Sequence, residues 1–457
     1  MSLDSFFKIQ ERGSTVKTEI IGGATTFLTM AYIIVVNPAI LSFAHIPQGP
    51  STVATILTAV FGCLFMAFYA NRPLAVAPYM GENAFIAFGL GALGISWQLR
   101  LGAVFVSGII FAIFACLKIR PWLANSISPS MKHSFGAGIG LFLFLIGIYE
   151  TGIVTSGATG LPPAALLTMD GVLRAPDVPL KLGNLHNPTV LLSIFGFILI
   201  VTLMQRKIKG AMLIGITTTG AIGTLLGYGS APRAVMAMPF VPPYDLAPIF
   251  LQLDIKGVFE LSFLPILLTL FLMSFLDTLG TLVGVGSIGG MLDEDGNFKD
   301  IEKPMIVDAS SCIFSALVGS STSGAFIESA AGIKEGARTG LATLVVALLF
   351  AICIFFIPLI EPLQKLTYAY APALMAVGLL TVNSIKKIDM DDITEAAPAL
   401  ATIAMMVFSY NIANGLTAGL VLYSVIKICA GRFRELNSGI LLLSALCLFY
   451  FLFGLPH

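Results

Sequence analysis

The sequence predicts an all-α polytopic membrane protein: fourteen transmembrane segments arranged as two inverted seven-segment repeats. Three observations carry that reading. The 457-residue chain is 57% hydrophobic and only 11% charged, against roughly 25% charged residues in a soluble domain, and its mean hydropathy is +0.93. Apolar stretches recur along the whole chain at the length a spanning helix needs, about 20 residues. Two of them, the third and the tenth, are interrupted in a similar way and lie seven segments apart.

The fourteen segments lie near 18–43, 52–70, 74–95, 100–118, 134–154, 188–205, 211–229, 260–288, 305–321, 324–333, 338–360, 366–384, 393–410 and 412–430. With the amino terminus on the cytoplasmic side of a cell (inner or plasma) membrane, 19 of the 25 basic residues fall on that side. Only Arg100, Arg174, Lys181, Arg233, Lys256 and Lys365 fall outside. This bias supports both the orientation and the count. A last apolar stretch, 437–454, either spans, packs along the bundle or lies in the interface. The opening "MSLDSFFKIQERGSTVKTE" has no apolar signal core, and "LDSFFKI" reads as a short surface helix. Zero net charge gives no bulk basic character that would point to nucleic acid. The six cysteines stand in apolar stretches without metal-ligand spacing.

The repeat shows in organisation. "VLLSIFGFILIVTLMQRKIKGAMLIGI" and "ALATIAMMVFSYNIANGLTAGLVLYSVI" share an apolar run, a polar break and a second apolar run. An offset of seven, an odd number, inverts one half relative to the other, as in many secondary transporters. The halves are expected at 1–233 and 255–432.

Carboxylates inside a membrane are costly and mark function by default. Four stand out: Glu82, Asp277, Asp308 and Glu328. In "LAVAPYMGENAFIAF", Pro78 disfavours helix at Ala77. "LAVAP" is therefore expected to be extended, with a half-helix starting near Gly81 and Asn83 offering donor and acceptor. In "FSALVGSSTSGAFIESAAGI", the stretch "SALVGSS" is expected to be extended, with Ser323 or Gly324 starting a second half-helix and Glu328 one turn in. Irregular backbone at membrane depth belongs where it lines a cavity. Asp277 sits mid-helix with Ser274 and Thr281 on one face. It reads as a ligand, as a helper that orients Glu328, or as a group bonded to another broken helix. Asp308, nearer the cytoplasmic end of its span, reads as structural or as a support for the groups that bind. Thr25, Thr26 and Thr29 share a helix face, where packing through small residues is the plainer explanation.

Taken together, "TTFLTMAYIIVVNPAIL", "AP.MG.NAF", "FLDTLGTLVGV" and "ESAAGIKEGARTGLATL" resemble the azaguanine-like purine permeases of the nucleobase–cation symporters. The resemblance implies a core domain and a gate domain, with short strands in segments 3 and 10 beside the half-helices. It implies a purine between them and a co-transported proton. Asn83, Asp277 and Glu328 match the family's asparagine and acids on segments 3, 8 and 10. Two positions depart from the pattern: Ser274 stands where an acid is often found, and Glu82 where leucine is often found. The expected substrate-binding set is therefore Glu328, Asn83, Asp277, Glu82, Ser323, Gly324, Phe326, Phe85 and Thr26. Tyr79, Phe85 or Phe326 would stack on the base, and Asp277, with Glu82 second, would couple to the proton. No cofactor is required, and a homodimer is compatible with the composition. An intramembrane enzyme would need a motif such as His-Glu-x-x-His or Gly-x-Ser-x-Gly, and none is present. An anion transporter of the same architecture would favour a basic or neutral residue at position 328.

Overall fold

The structure, a computed structural model, describes residues 3–117, 126–161, 179–260, 263–292, 298 and 300–453. Of the residues used to orient the chain, Lys118, Arg120, Arg174 and Lys299 lie outside the described residues.

Polar caps set many of the segment starts. The side chains of Thr15, Ser96, Ser128, Asn187, Thr339, Asp392 and Asn411 each accept from an amide two or three residues on, opening segments 1, 4, 5, 6, 11, 13 and 14. Each satisfies an amide that the helix itself leaves free. Pro129 and Pro188 occupy the first turn, where no amide is lost. Nine helices among the described residues are long and apolar enough to cross a bilayer. The others are short or broken. Segments 7 and 13 are Ala211–Leu225 and Ile393–Phe408, and segment 9 is Glu302–Val318. Segments 3 and 10 contain a strand each. Counted this way the chain has fourteen segments, as the sequence predicts, and it is a multi-pass membrane protein.

Two groups of segments pack separately. Segments 1–4 and 8–11 form one body, through contacts of segment 9 with 4 and 2 and of segment 11 with 1 and 2. Segments 5–7 and 12–14 form the other, centred on segment 12 against 5. The latter two approach to backbone contact, since a side chain at Gly378 would reach 2.5 Å from the Gly140 carbonyl. These are the core and gate of the predicted fold.

Four short strands occur among the described residues: β1 (Val76–Pro78), β2 (Val154–Ser156), β3 (Leu180–Leu182) and β4 (Ser323–Ala325). β2 and β3 pair in the long connection after segment 5. β1 and β4 pair antiparallel inside the core, with Val76 opposite Ala325, Ala77 opposite Gly324 and Pro78 opposite Ser323. The helix Met80–Ala84 follows β1, and the helix Ser329–Lys334 follows β4.

The expected starts need one correction. Segment 3 turns helical at Met80, next to the predicted Gly81. In segment 10, Ser323 and Gly324 start no helix; they form β4, and Glu328 is the residue just before the half-helix. Upstream, "SALV" is still helix and ends at Gly319, whose φ of +89° suits glycine. The extended stretch therefore begins later than expected.

The last helix, Ser438–Phe453, packs along segment 14. Ser444 donates to the Leu420 carbonyl at 2.8 Å and lies 2.6 Å from the Ser424 hydroxyl. An ion network fastens the turn before it. Lys427 Nζ meets Glu435 at 2.7 Å, Glu395 at 2.9 Å and Asp392 at 3.7 Å, and Arg432 reaches Asp392 and Glu435 at 2.5 Å each. The Thr394 hydroxyl and Arg432 hold Asp392 below the usual carboxylate range, and Lys427 with Arg432 lowers Glu435. Their stabilising effect is complete above the ordinary carboxylate range and is lost as pH falls through the lowered values. Lys427 has a fully buried side chain. Lys427→Met leaves three acids facing one arginine, and is expected to cost about 1–2 kcal/mol, because the acids themselves are partly exposed. A drop in melting temperature of the purified protein checks this.

Candidate functional site

The paired strands put the ends of segments 3 and 10 face to face at the centre of the core. The residue after each strand is aromatic. Tyr79 and Phe326 lie parallel, 5° apart in plane and 6.4 Å between ring centres. Tyr79 is anchored by its hydroxyl, 3.0 Å from Thr278 Oγ1 and 3.4 Å from Asp308. That hydroxyl rests against Gly324, where any side chain would collide with it.

The four acids divide by exposure. Glu328 is half-buried, and its Oε1 accepts from the Tyr32 hydroxyl at 2.8 Å. Asp277 is exposed, and no hydrogen bond ties it to a described residue. Both line a cavity of about 1280 Å³, together with Thr25, Thr29, Thr281 and Met273. Glu82 and Asp308 are sealed, at 1% and 0% exposure. Ser274 donates to Glu82 Oε2 at 2.7 Å. Asp308 Oδ2 accepts from Thr278 at 2.9 Å and from the Ala325 amide at 3.0 Å. Asp308 therefore holds broken segment 10 in place, as its structural reading expects. The two departures from the expected pattern turn out to touch. The acid missing at 274 and the acid present at 82 share one hydrogen bond across segments 8 and 3.

Only Asp277 and Glu328 of the nine expected residues stand on the cavity wall. Glu82, Asn83, Ser323, Gly324, Phe326, Phe85 and Thr26 do not line it, and each is buried. Asn83 donates to Asn37 Oδ1 at 2.5 Å, and Asn37 donates to Thr55 at 2.7 Å and Ser320 at 3.1 Å, forming a polar seam across segments 1, 2, 3 and 10. Ser323 bonds Ser311 at 2.7 Å. Phe85 packs back onto Gly89 of its own turn. Thr26 abuts Gly332 of the segment 10 half-helix, where its hydroxyl and the Gly22 carbonyl leave no room for a side chain. This contact is the close helix packing that small residues allow. Tyr32 was missed. A tyrosine in an apolar run gives no sign of a partner 296 residues away. One cue existed: its polar hydroxyl needs a partner when buried.

The cavity lining also includes five lysines, Lys132, Lys207, Lys209, Lys334 and Lys387, and one further acid, Glu335. Lys209, between segments 6 and 7, meets Glu335 of the core at 2.9 Å.

Residues 17–418 match the model of the Permease family. The chain belongs to that family. The permease is 36% identical to the adenine permease AdeQ of Escherichia coli (strain K12), over 97% of this chain and 95% of that protein. It is 36% identical to the guanine/hypoxanthine permease PbuG of Bacillus subtilis (strain 168), over 99% of this chain and 100% of that one. In architecture it is similar to the transmembrane domain of the cyanobacterial bicarbonate transporter BicA, with a TM-score of 0.62 at 17% identity, covering 88% of this chain and 97% of that one. The permease is a transporter and not an enzyme.

Proposed function

We propose that the permease imports purine nucleobases (hypoxanthine, guanine or adenine) together with protons. The observation that carries the reading is the pairing of Glu328 and Asp277 on one cavity wall, beside the crossing that bears the parallel Tyr79 and Phe326 rings. A purine offers ring N–H donors, which a carboxylate accepts, and a flat face, which an aromatic ring stacks on. The names of the adenine and guanine/hypoxanthine relatives agree with it. In this reading Glu328 binds the base, Asp277 lies in reach of it and carries the proton, and Asn83, Glu82, Ser323 and Gly324 hold the crossing in shape. The amino terminus is cytoplasmic, the repeats run 1–233 and 255–432, and the lysines of the cavity lining lie at the cytoplasmic ends of their segments. Rocking of the gate against the core then alternates access.

The fold is shared with a bicarbonate transporter, so an anion is the rival substrate. Two carboxylates on the wall oppose it, because like charges repel. Thermal-shift measurements on the purified protein separate the two. Stabilisation by hypoxanthine, guanine or adenine is expected. Stabilisation by bicarbonate or sulfate and by no nucleobase overturns the assignment. Uptake of the labelled base into vesicles, with and without an imposed proton gradient, tests the coupling.

A further inference from the structure

A strand ribbon inside a membrane protein has two open edges, and every edge amide and carbonyl needs a partner there. The ladder between β1 and β4 uses the amides of Tyr79, which donates to the Thr322 carbonyl at 2.9 Å, and Phe326, which donates to the Ala75 carbonyl at 2.8 Å. Antiparallel alternation then turns Val76, Pro78, Ser323 and Ala325 outward. Pro78 has no amide to satisfy. The Ala325 amide goes to Asp308 at 3.0 Å. The two remaining residues, Val76 and Ser323, are each met by one cysteine.

The geometry is the same on both edges. The Val76 amide donates to Cys63 Sγ at 3.2 Å, and Cys63 Sγ donates back to the Val76 carbonyl at 3.3 Å. The Ser323 amide donates to Cys312 Sγ at 3.3 Å, and Cys312 Sγ donates back to the Ser323 carbonyl at 2.9 Å. Cys63 lies on segment 2 and Cys312 on segment 9, seven segments apart, and both are buried. Val76 and Ser323 each open their strand, three residues before Tyr79 and Phe326 respectively. One thiol thus closes the whole polar edge of one residue. A serine at such a helical position tends to bond back to its own helix, as Thr55 does to the Ser51 carbonyl at 2.8 Å. A thiol is a weaker donor and reaches farther.

We propose that Cys63 and Cys312 are a matched pair of positioning residues. Each thiol fixes the outer edge of one strand, and together they set the separation and parallelism of Tyr79 and Phe326. This rests on the reading that a purine is bound in the cavity beside that crossing. Neither thiol touches the cavity, so neither contacts the base directly.

The test uses Cys63→Ala, Cys312→Ala and the corresponding serine variants in the full-length protein, with labelled hypoxanthine, guanine and adenine as probes. Uptake KM and Vmax are measured, along with the melting temperature of the ligand-free protein. Each alanine variant is expected to raise KM about three- to tenfold, the effect of losing hydrogen bonds of ordinary strength, with Vmax little changed. The two positions should behave alike. Serine at these positions tends to bond back to its own helix and leave the strand edge, so its shift should have the same sign as that of alanine. If an alanine variant does not fold, the serine variants carry the test by the same KM shift. A lower melting temperature with unchanged KM in the folded variants means the thiols are only structural, and overturns the proposal. Absence of saturable binding of all three purines by the unmodified protein overturns the purine reading, and this proposal with it. Normal purine binding in the unmodified protein beside unchanged KM in the variants overturns the proposal alone.

Discussion

Glu328→Gln is expected to weaken purine binding about ten- to a hundredfold, the equivalent of one charge-assisted hydrogen bond of roughly 1.5–3 kcal/mol. The substitution keeps the volume and replaces a carboxylate, which only accepts, by an amide that both accepts and donates. Its effect on the fold should be small for a structural reason. Tyr32 donates to Glu328 Oε1, and the glutamine oxygen accepts the same bond. The half-helix that begins at Ser329 has no capping bond from the Glu328 side chain, so none is lost. What remains is the other carboxylate oxygen and the charge, both facing the cavity. Titration of the purified variant with hypoxanthine, guanine and adenine reads the shift directly. Affinity equal to that of the unmodified protein would remove Glu328 from the site.

The breaks in segments 3 and 10 were legible because proline and glycine act locally. Pro78 has no amide to donate to a helix and disfavours helix at the residue before it, and β1 lies there. The Ser-Gly run of segment 10 has no comparable stop before Gly319, so its helix ends later than expected and its strand occupies residues expected to start a helix. Strand pairing between Ala77 and Gly324 is a contact between distant parts of the chain, and no local pattern encodes it. The same applies to Tyr32 with Glu328 and to Asn83 with Asn37. The four acids were legible as costly groups, but not their exposure. Two face the cavity and two are sealed, a division that depends on which neighbours supply donors. The two unusual residues at 82 and 274 read as separate departures in the sequence. In the structure they are one hydrogen-bonded pair, which keeps a single carboxylate at the contact between segments 3 and 8.

That contact frames the test of proton coupling. Coupling needs a group that exchanges protons with the solution on each side in turn and changes the charge of the site when it does. Glu82 and Asp308 are shut off from the cavity in this conformation and are held by donors. Asp277 stands in the middle of a continuous 25-residue helix of the core, on the cavity wall, with no hydrogen bond to a described residue. It is therefore free to take up or release a proton without breaking a contact of the fold. Asp277→Asn holds the position permanently neutral. Accumulation of labelled purine against its gradient, driven by an imposed proton gradient, is expected to fall to background in this variant. Counterflow exchange of purine across the same vesicles should remain measurable, since Glu328 and the Tyr79–Phe326 crossing are untouched. Loss of both activities would make Asp277 a binding group rather than a coupling group. Intact gradient-driven accumulation would exclude Asp277 from coupling altogether and transfer the role to Glu82. Glu82→Gln is the variant to compare, because Ser274 can still donate to the glutamine oxygen and the contact between segments 3 and 8 is preserved.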